Sequence, residues 1–247
     1  MYYLRDVLGR IKKADEDYKL IEDGDTIAVG VSGGKDSLLL LYAMNAYKRM
    51  CEKTKKFEIV GIHIKMGFPN MDPSPMETYF KNMNIRFECV PSQAYEILQA
   101  NVQNNGRLPC SICSKIKKAV VIESAKEFGC NKVAFAHHSE DAIETLAMNM
   151  IFGGRIATFK PKMYLDRSEI TFIRPFVYVR EKLIVKSFNK LDIPIVTSTC
   201  PNDKHTEREN MKTMLRDLYK KYPMAEDNFL LMLHNLEKLD LWEKEDN

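Results

Sequence analysis

Near the start of the chain, apolar residues stand at Leu4, Val7, Leu8 and Ile11, three or four apart among charged neighbours. That spacing lines one face of an α-helix, which Gly24 ends. The pattern then changes. Residues 26–31 form a short unbroken apolar run between Gly24 and Gly33, as expected of a strand covered on both faces. The same alternation recurs downstream. Helices are predicted at 37–49, 93–102, 111–128, 140–151 and 180–190, and strands at 57–65, 85–90, 132–136 and 195–198. Two closing helices follow at about 206–222 and 225–241. Strands that alternate with helices of about 10–15 residues call for parallel βαβ units with helices on both faces. The expected architecture is therefore an α/β, doubly wound, five-stranded parallel sheet. A helix over 1–24 would lie against the core, residues 25–200 would form the main domain, and 201–247 would add C-terminal helices. Residues 69–75 and 153–167 read as loops at the sheet's edge.

Length and composition narrow the class without naming the chemistry. A chain of 247 residues with 45% hydrophobic and 29% charged side chains has the balance of an ordinary globular protein. No apolar run approaches the roughly 18–20 residues that span a bilayer. The charged N-terminus lacks an apolar signal core, so a cytoplasmic protein with no membrane partner is expected. Six cysteines are too few for a disulfide scaffold at this length, which points to free thiols in a reducing compartment. A net charge of +3 permits a nucleic-acid partner without demanding one.

Between the first strand and the next helix stand Ser32, Gly33, Gly34, Lys35, Asp36 and Ser37. Two glycines let the backbone turn sharply and approach a ligand. The amides and positive dipole at the following helix start then face an anion. Ser32 and Ser37 add hydroxyls and Lys35 a point charge, while Asp36 can hold Mg²⁺ against the phosphates or cap the helix. The glycine spacing is neither G-x-x-x-x-G-K-[ST] nor G-x-G-x-x-G.

A second group is made of sulfur. Cys110 and Cys113 are three residues apart, close enough on one helical turn to share a metal, and Cys200 lies far off in sequence after the fifth predicted strand. Zinc, redox and cluster sites all use C-x-x-C. Three thiolates suit a [4Fe–4S] cluster with one iron left open. Cys51, Cys89 and Cys130 read as structural.

The loop resembles the SGGxDS motif of the PP-loop ATP pyrophosphatases, of the HUP, adenine nucleotide α-hydrolase-like fold. The order SGGKDS, Cys-x-x-Cys, lone Cys then resembles the tRNA 2-thiocytidine synthetase family. Residues 136–145 (AHHSEDAIET) are similar to that family's G-H-H-x-D-D-x-x-E-T, and residues 173–182 (IRPFVYVREK) to its I-R-P-L-x-Y-V-x-E-x. Together these motifs cover the chain from about 20 to 220. The resemblance implies an ATP- and cluster-dependent tRNA sulfurtransferase. ATP would adenylate O2 of an anticodon-loop cytidine, sulfide on the open iron would attack C2, and AMP would leave. It further implies Ser32, Gly33, Gly34, Lys35, Asp36 and Ser37 as the ATP site, with Lys35, Asp36 and Asp141 catalytic. Asp36 and Asp141 would serve Mg²⁺, and Cys110, Cys113 and Cys200 would hold the cluster. Glu144 would support the loop. Ala136 and Glu140 depart from the family's glycine and first aspartate. Expected partners are tRNA, a sulfur donor such as a cysteine desulfurase, and a second copy in a homodimer.

Arg107, Arg155, Lys160, Lys162, Arg174, Lys204 and Arg208 are candidate RNA contacts, with Tyr164 or Phe159 available to stack on a base. Phe229, Leu233, Leu236 and Leu239 in the last helix read as core or a dimer face. Two other functions fit the same motifs. A related enzyme would thiolate or desulfurate another nucleoside or small substrate. A zinc-holding nucleotide-binding module would not turn over.

Overall fold

The computed structural model describes residues 4–102, 106–197, 199–201, 206–235, 237 and 241–242. Ser198, Lys204, Leu236 and Leu239, singled out above, lie outside them. The chain opens with α1 (Arg5–Tyr18), β1 (Thr26–Gly30), α2 (Lys35–Cys51), β2 (Glu58–Lys65), α3 (Ser74–Asn82) and β3 (Arg86–Pro91). It continues through α4 (Ala94–Ala100), α5 (Cys110–Glu127), β4 (Lys132–Ala134) and α6 (Ser139–Gly153). A hairpin of β5 (Lys162–Leu165) and β6 (Ile170–Ile173) precedes α7 (Glu181–Phe188), α8 (Glu207–Lys221) and α9 (Ala225–Met232).

These elements fall into two compact units. The larger holds Met1–Glu140 and Phe159–Lys204, the smaller Asp141–Thr158 and His205–Asn247. In the larger unit the strands run in the order β3-β2-β1-β4-β6-β5. All neighbours are parallel except the β5–β6 hairpin. Side chains of a strand alternate between its two faces. Ile27 and Val29 of β1 accordingly join the layer of α1, α2 and α7, while Ala28 joins Val60, Val133 and Phe172 beneath α5. Burial on both faces explains why β1 reads as a continuous apolar run.

Three predicted features need correction. The sheet has six strands rather than five, and the fifth parallel strand is β6, not 195–198. Residues 192–197 form no strand. Pro194 has no N–H to offer a ladder, so this apolar segment is confined to an edge or a loop. Part of the predicted 153–167 loop instead forms β5, and Glu169 (φ 50°) turns the chain back into β6. The Pro-rich stretch 69–75 likewise runs into α3, with Pro75 in its first turn, where a missing N–H costs nothing.

At the opposite end of the strands from the phosphate loop, Lys132 and Asp25, each 4% exposed at the side chain, pair at 2.7 Å. Lys132 also donates to the Leu20 carbonyl (3.1 Å) and Glu22 (2.7 Å), tying the α1–β1 connection to β4. The smaller unit has its own core, where Ile143, Met211 and Leu215 pack with Leu218, Tyr219 and Phe229. Among the described residues no helix is long and apolar enough to cross a membrane.

Candidate functional site

The phosphate loop leaves β1 at its C-terminal end and turns directly into α2. Gly33 makes that turn with φ +94°, and the space beside it is filled, since a Cβ there would stand 2.8 Å from Val196 Cβ. The Val196 N–H donates to the Gly33 carbonyl at 3.1 Å. The segment predicted as a fifth strand thus serves as a brace behind the loop. Ser37 is buried and builds the loop from inside. Its hydroxyl donates to the Gly34 carbonyl (3.0 Å), and its oxygen receives the Ser32 N–H at 3.0 Å. The two serine hydroxyl oxygens are 3.1 Å apart. Gly34 caps α2 in extended geometry and no side chain closes the helix start. The amides of the first turn have no partners within the helix, and the dipole's positive end points the same way. The result is a pre-shaped anion cradle.

Charge at the cradle comes from Lys35 and Asp36. Lys35 Nζ lies 3.2 Å from Asp36 Oδ2 and 3.2 Å from Glu181 Oε1. Burial pushes the Lys35 pKa down, but Asp36 and Glu181 outweigh it and leave the ammonium above its ordinary value. Its contribution to stability is complete below pH 10.5 and is lost only as pH rises through the elevated value, so the cation persists at neutral pH. Asp36 Oδ1 is buried and accepts no hydrogen bond, with only the Lys35 ammonium 3.1 Å away. A carboxylate oxygen left this way fits a Mg²⁺ ligand, because a buried polar atom ordinarily has a partner.

Sequence reasoning missed the two residues that support Lys35. Glu181 opens α7, and its N–H donates to Glu140 Oε2 at 3.0 Å. The same Glu140 oxygen takes the Ser139 hydroxyl at 2.8 Å and lies 3.0 Å from His138 Nδ1. Burial raises the Glu140 pKa, but His138, Ser139 and the Glu181 amide more than reverse that, so the carboxyl lies below its usual range. Glu140 therefore anchors the start of α7, which presents Glu181 to Lys35. Its signal was present in the AHHSEDAIET and IRPFVYVREK segments, but only folding joins them.

The three cysteines come together in the same unit. Cys110 is exposed at the first position of α5, and Cys113 follows one turn later. Cys113 and Cys200 both pack on an apolar cluster of Met66, Phe68, Ala94, Leu98 and Leu108. Burial raises the Cys113 thiol pKa, nearby Lys117 lowers it, and Cys200 and Cys110 raise it again, so Cys110 and Cys200 both lie within electrostatic reach of Cys113. Cys200 stands four positions after Val196, the brace of Gly33, and four residue steps span at most about 14 Å. The donor chemistry, two thiols on an apolar wall and a third exposed one turn before Cys113, fits a metal group held by three thiolates with one side open. Among the described residues no three such donors already stand at metal-bonding separation.

Other predicted residues are distributed differently. Asp141 begins the smaller unit and pairs with Arg208 at 3.2 Å, and Glu144 lies 3.5 Å from the same guanidinium. Arg174 is no surface contact. It is 7% exposed, donates to the Lys160 carbonyl at 2.6 Å and lies over the Phe159 ring at 4.8 Å, with its pKa lowered to about 10 by burial. Phe159 also stands 5.1 Å from the His137 ring, so it supports that histidine. Lys162 donates to the Lys19 carbonyl and Arg155 to Asn149, while Arg107, Lys160 and Tyr164 are exposed. Cys51 and Cys130 are buried, and Cys89 is half-buried.

Comparison with known proteins adds a family to this geometry. A family model described as a PP-loop domain matches residues 6–218. The chain is 34% identical over 229 residues to a tRNA-cytidine(32) 2-sulfurtransferase of Geobacter sulfurreducens, covering 92% of this chain and 88% of that protein. It is 32% identical over 243 residues to its Geobacter metallireducens counterpart, covering 98% and 93%. Among solved structures, the U34-tRNA thiolase NcsA from Methanococcus maripaludis, with its [4Fe-4S] cluster, superposes with a TM-score of 0.74 at 19% identity. That match covers 96% of this chain and 80% of the other, and establishes a shared fold.

Proposed function

The chain belongs to the PP-loop domain family, alongside the tRNA-cytidine 2-sulfurtransferases, and on that premise we propose an ATP-dependent tRNA sulfurtransferase that replaces O2 of an anticodon-loop cytidine with sulfur. The observation that carries this reading is the gathering of Cys110, Cys113 and Cys200 in the unit that also bears the phosphate loop.

The chemistry runs in two displacements. O2 of the cytidine attacks the α-phosphorus of ATP, the α–β bridging P–O bond breaks, and pyrophosphate leaves. A sulfur nucleophile then attacks C2 of the adenylated base, and AMP departs with the original oxygen. Ser32, Gly33, Gly34 and the first amides of α2 hold the phosphates. Lys35 stabilises the charge that builds on the departing pyrophosphate, where a preorganised cation acts most strongly. Glu181 orients Lys35, and Glu140 fixes Glu181. Asp36 is assigned to Mg²⁺, which would screen the triphosphate. Cys110, Cys113 and Cys200 would hold a [4Fe–4S] cluster, which when bound supplies a thiophilic site for the sulfur. The sulfur itself comes from a donor such as a cysteine desulfurase, with a thiol reductant supplying the two electrons that take persulfide sulfur to the sulfide level.

The test is anaerobic reconstitution followed by mass spectrometry of tRNA nucleosides. Wild-type protein is expected to bind about four irons and to form 2-thiocytidine with release of AMP and pyrophosphate. Cys113→Ala and Cys200→Ala should each lose iron and product while still binding ATP, and Cys130→Ala should retain all three. A protein that binds zinc alone and leaves the nucleosides unchanged overturns the assignment.

A further inference from the structure

Away from the phosphate loop and the cysteines, α1 and α7 enclose a groove of about 770 Å³. Its walls carry Arg5, Arg10 and Lys13 from α1, and Arg180, Lys182 and Lys186 from the start and body of α7. The single acid among the lining residues is Asp6. Six bases against one acid make five net positive charges, whereas the whole chain carries three. The rest of the molecule is therefore net negative by two, and the positive charge is concentrated in this groove.

Four of these cations, Arg5, Arg10, Lys182 and Lys186, make no hydrogen bond or ion pair with any described residue, and all four are exposed. A surface helix ordinarily compensates such charges with acids three or four positions away, as Lys13 is by Asp17 at 3.0 Å. Here the charges are left facing a common trough. Their layout suits a long anion. Arg5 to Lys13 extends about 12 Å along α1, and Lys182 to Lys186 about 6 Å along α7, at 1.5 Å per residue. Two facing rows of that length exceed one phosphate group and match a track of several.

The groove also has a direction. The residue between Arg180 and Lys182 is Glu181, whose carboxylate grips Lys35 of the phosphate loop at 3.2 Å. A polyanion seated along the groove therefore ends beside the nucleotide cradle.

We propose that the α1–α7 groove is the docking track for the RNA phosphate backbone, binding the substrate through sequence-independent contacts and delivering the target base toward the phosphate loop. The proposal rests on the tRNA reading above and adds the surface that reading lacks. None of Arg107, Arg155, Lys160, Lys162, Arg174 or Arg208, the described basic residues singled out from sequence, lines this groove.

The test is equilibrium binding of unmodified tRNA to the full-length protein over a range of salt concentrations. Wild type is compared with the triple variant Arg10→Ala, Lys182→Ala, Lys186→Ala. A control triple variant, Lys53→Ala, Lys126→Ala, Lys190→Ala, removes the same charge elsewhere on the surface. Each lost phosphate contact lowers the slope of log K against log salt by about 0.7–0.9. The groove variant should therefore lose about 2–3 from the slope and roughly tenfold to a hundredfold in affinity near 0.1 M salt. Its ATP affinity and thermal midpoint should match wild type, and the control should bind RNA nearly as wild type does. Equal RNA binding by the groove variant, equal losses in both variants, or a parallel loss of ATP affinity would each overturn the proposal. Failure of wild type to bind tRNA would instead remove the functional reading on which the proposal rests.

Discussion

Replacing Gly33 with alanine tests the loop architecture most sharply, because two independent penalties coincide there. The residue sits at φ +94°, where L-residues are strained by about 1–3 kcal/mol. The added Cβ would stand 2.8 Å from Val196 Cβ and 3.4 Å from the Val196 carbonyl oxygen. Backbone cannot swing aside as a long side chain can, so overpacking adds about 1–3 kcal/mol. The Val196 N–H bond to the Gly33 carbonyl is strained by the same shift. Gly33→Ala is thus expected to lose about 2–6 kcal/mol, which at roughly 2–4 °C per kcal/mol lowers the thermal midpoint by about 4–24 °C. ATP binding should fail with it. Gly34→Ala is the internal control. Gly34 has φ −82°, and the nearest atom to its virtual Cβ is Ser32 Oγ at 3.6 Å. Alanine fits that backbone and removes freedom from the unfolded chain, worth about 0.4–1 kcal/mol in favour of folding. Thermal melts of both variants, with nucleotide binding by calorimetry, check the pair. If the two variants melt together, or Gly33→Ala melts with wild type, Val196 does not brace the loop as described.

Three further outcomes follow from the charges and thiols. The Glu140 carboxyl is held below its ordinary pKa of 4.5, so its stabilisation is complete above that value and is lost as pH falls through the lowered one. Urea unfolding should show Glu140→Gln about 1.5–3 kcal/mol less stable than wild type near neutrality, the gap closing below pH 4.5, and a gap that persists in acid refutes the assignment. Lys132→Ala would strand Asp25 as an uncompensated buried charge, which costs about 3–5 kcal/mol; a midpoint within 2 °C of wild type would show that the pair is dispensable. In the metal-free protein, brief alkylation near pH 7.5 should label Cys110 first, because it alone of the six thiols is exposed. Cys89 should label slowly, since burial and Glu77 push its thiol up to about 11; peptide mapping by mass spectrometry reads the order, and early labelling of Cys89 would contradict it.

Much of the molecule was legible from local pattern. The helical spacing of Leu4, Val7, Leu8 and Ile11 marked α1, and the unbroken apolar run between Gly24 and Gly33 marked β1, because each depends only on near neighbours along the chain. The phosphate loop was legible for the same reason, as two glycines, a strand and a helix start within twelve residues dictate a turn and an exposed row of amides. The Cys110–Cys113 pair on a single turn belongs to this class too.

What sequence alone determined was thus each piece of the site that closes over a short stretch of chain. Tertiary structure decided the rest: that Cys200 joins a pair almost ninety residues upstream, that Val196 braces Gly33, that Glu140 and Glu181 hold Lys35, and that two basic helix faces meet in one groove. The strand predicted at 195–198 is absent because apolar content announces burial, whereas pairing requires donors that Pro194 lacks and a place beside β4 that β6 already occupies. Contacts between distant segments depend on the order in which strands enter the sheet, and that order is set by packing both of its faces at once.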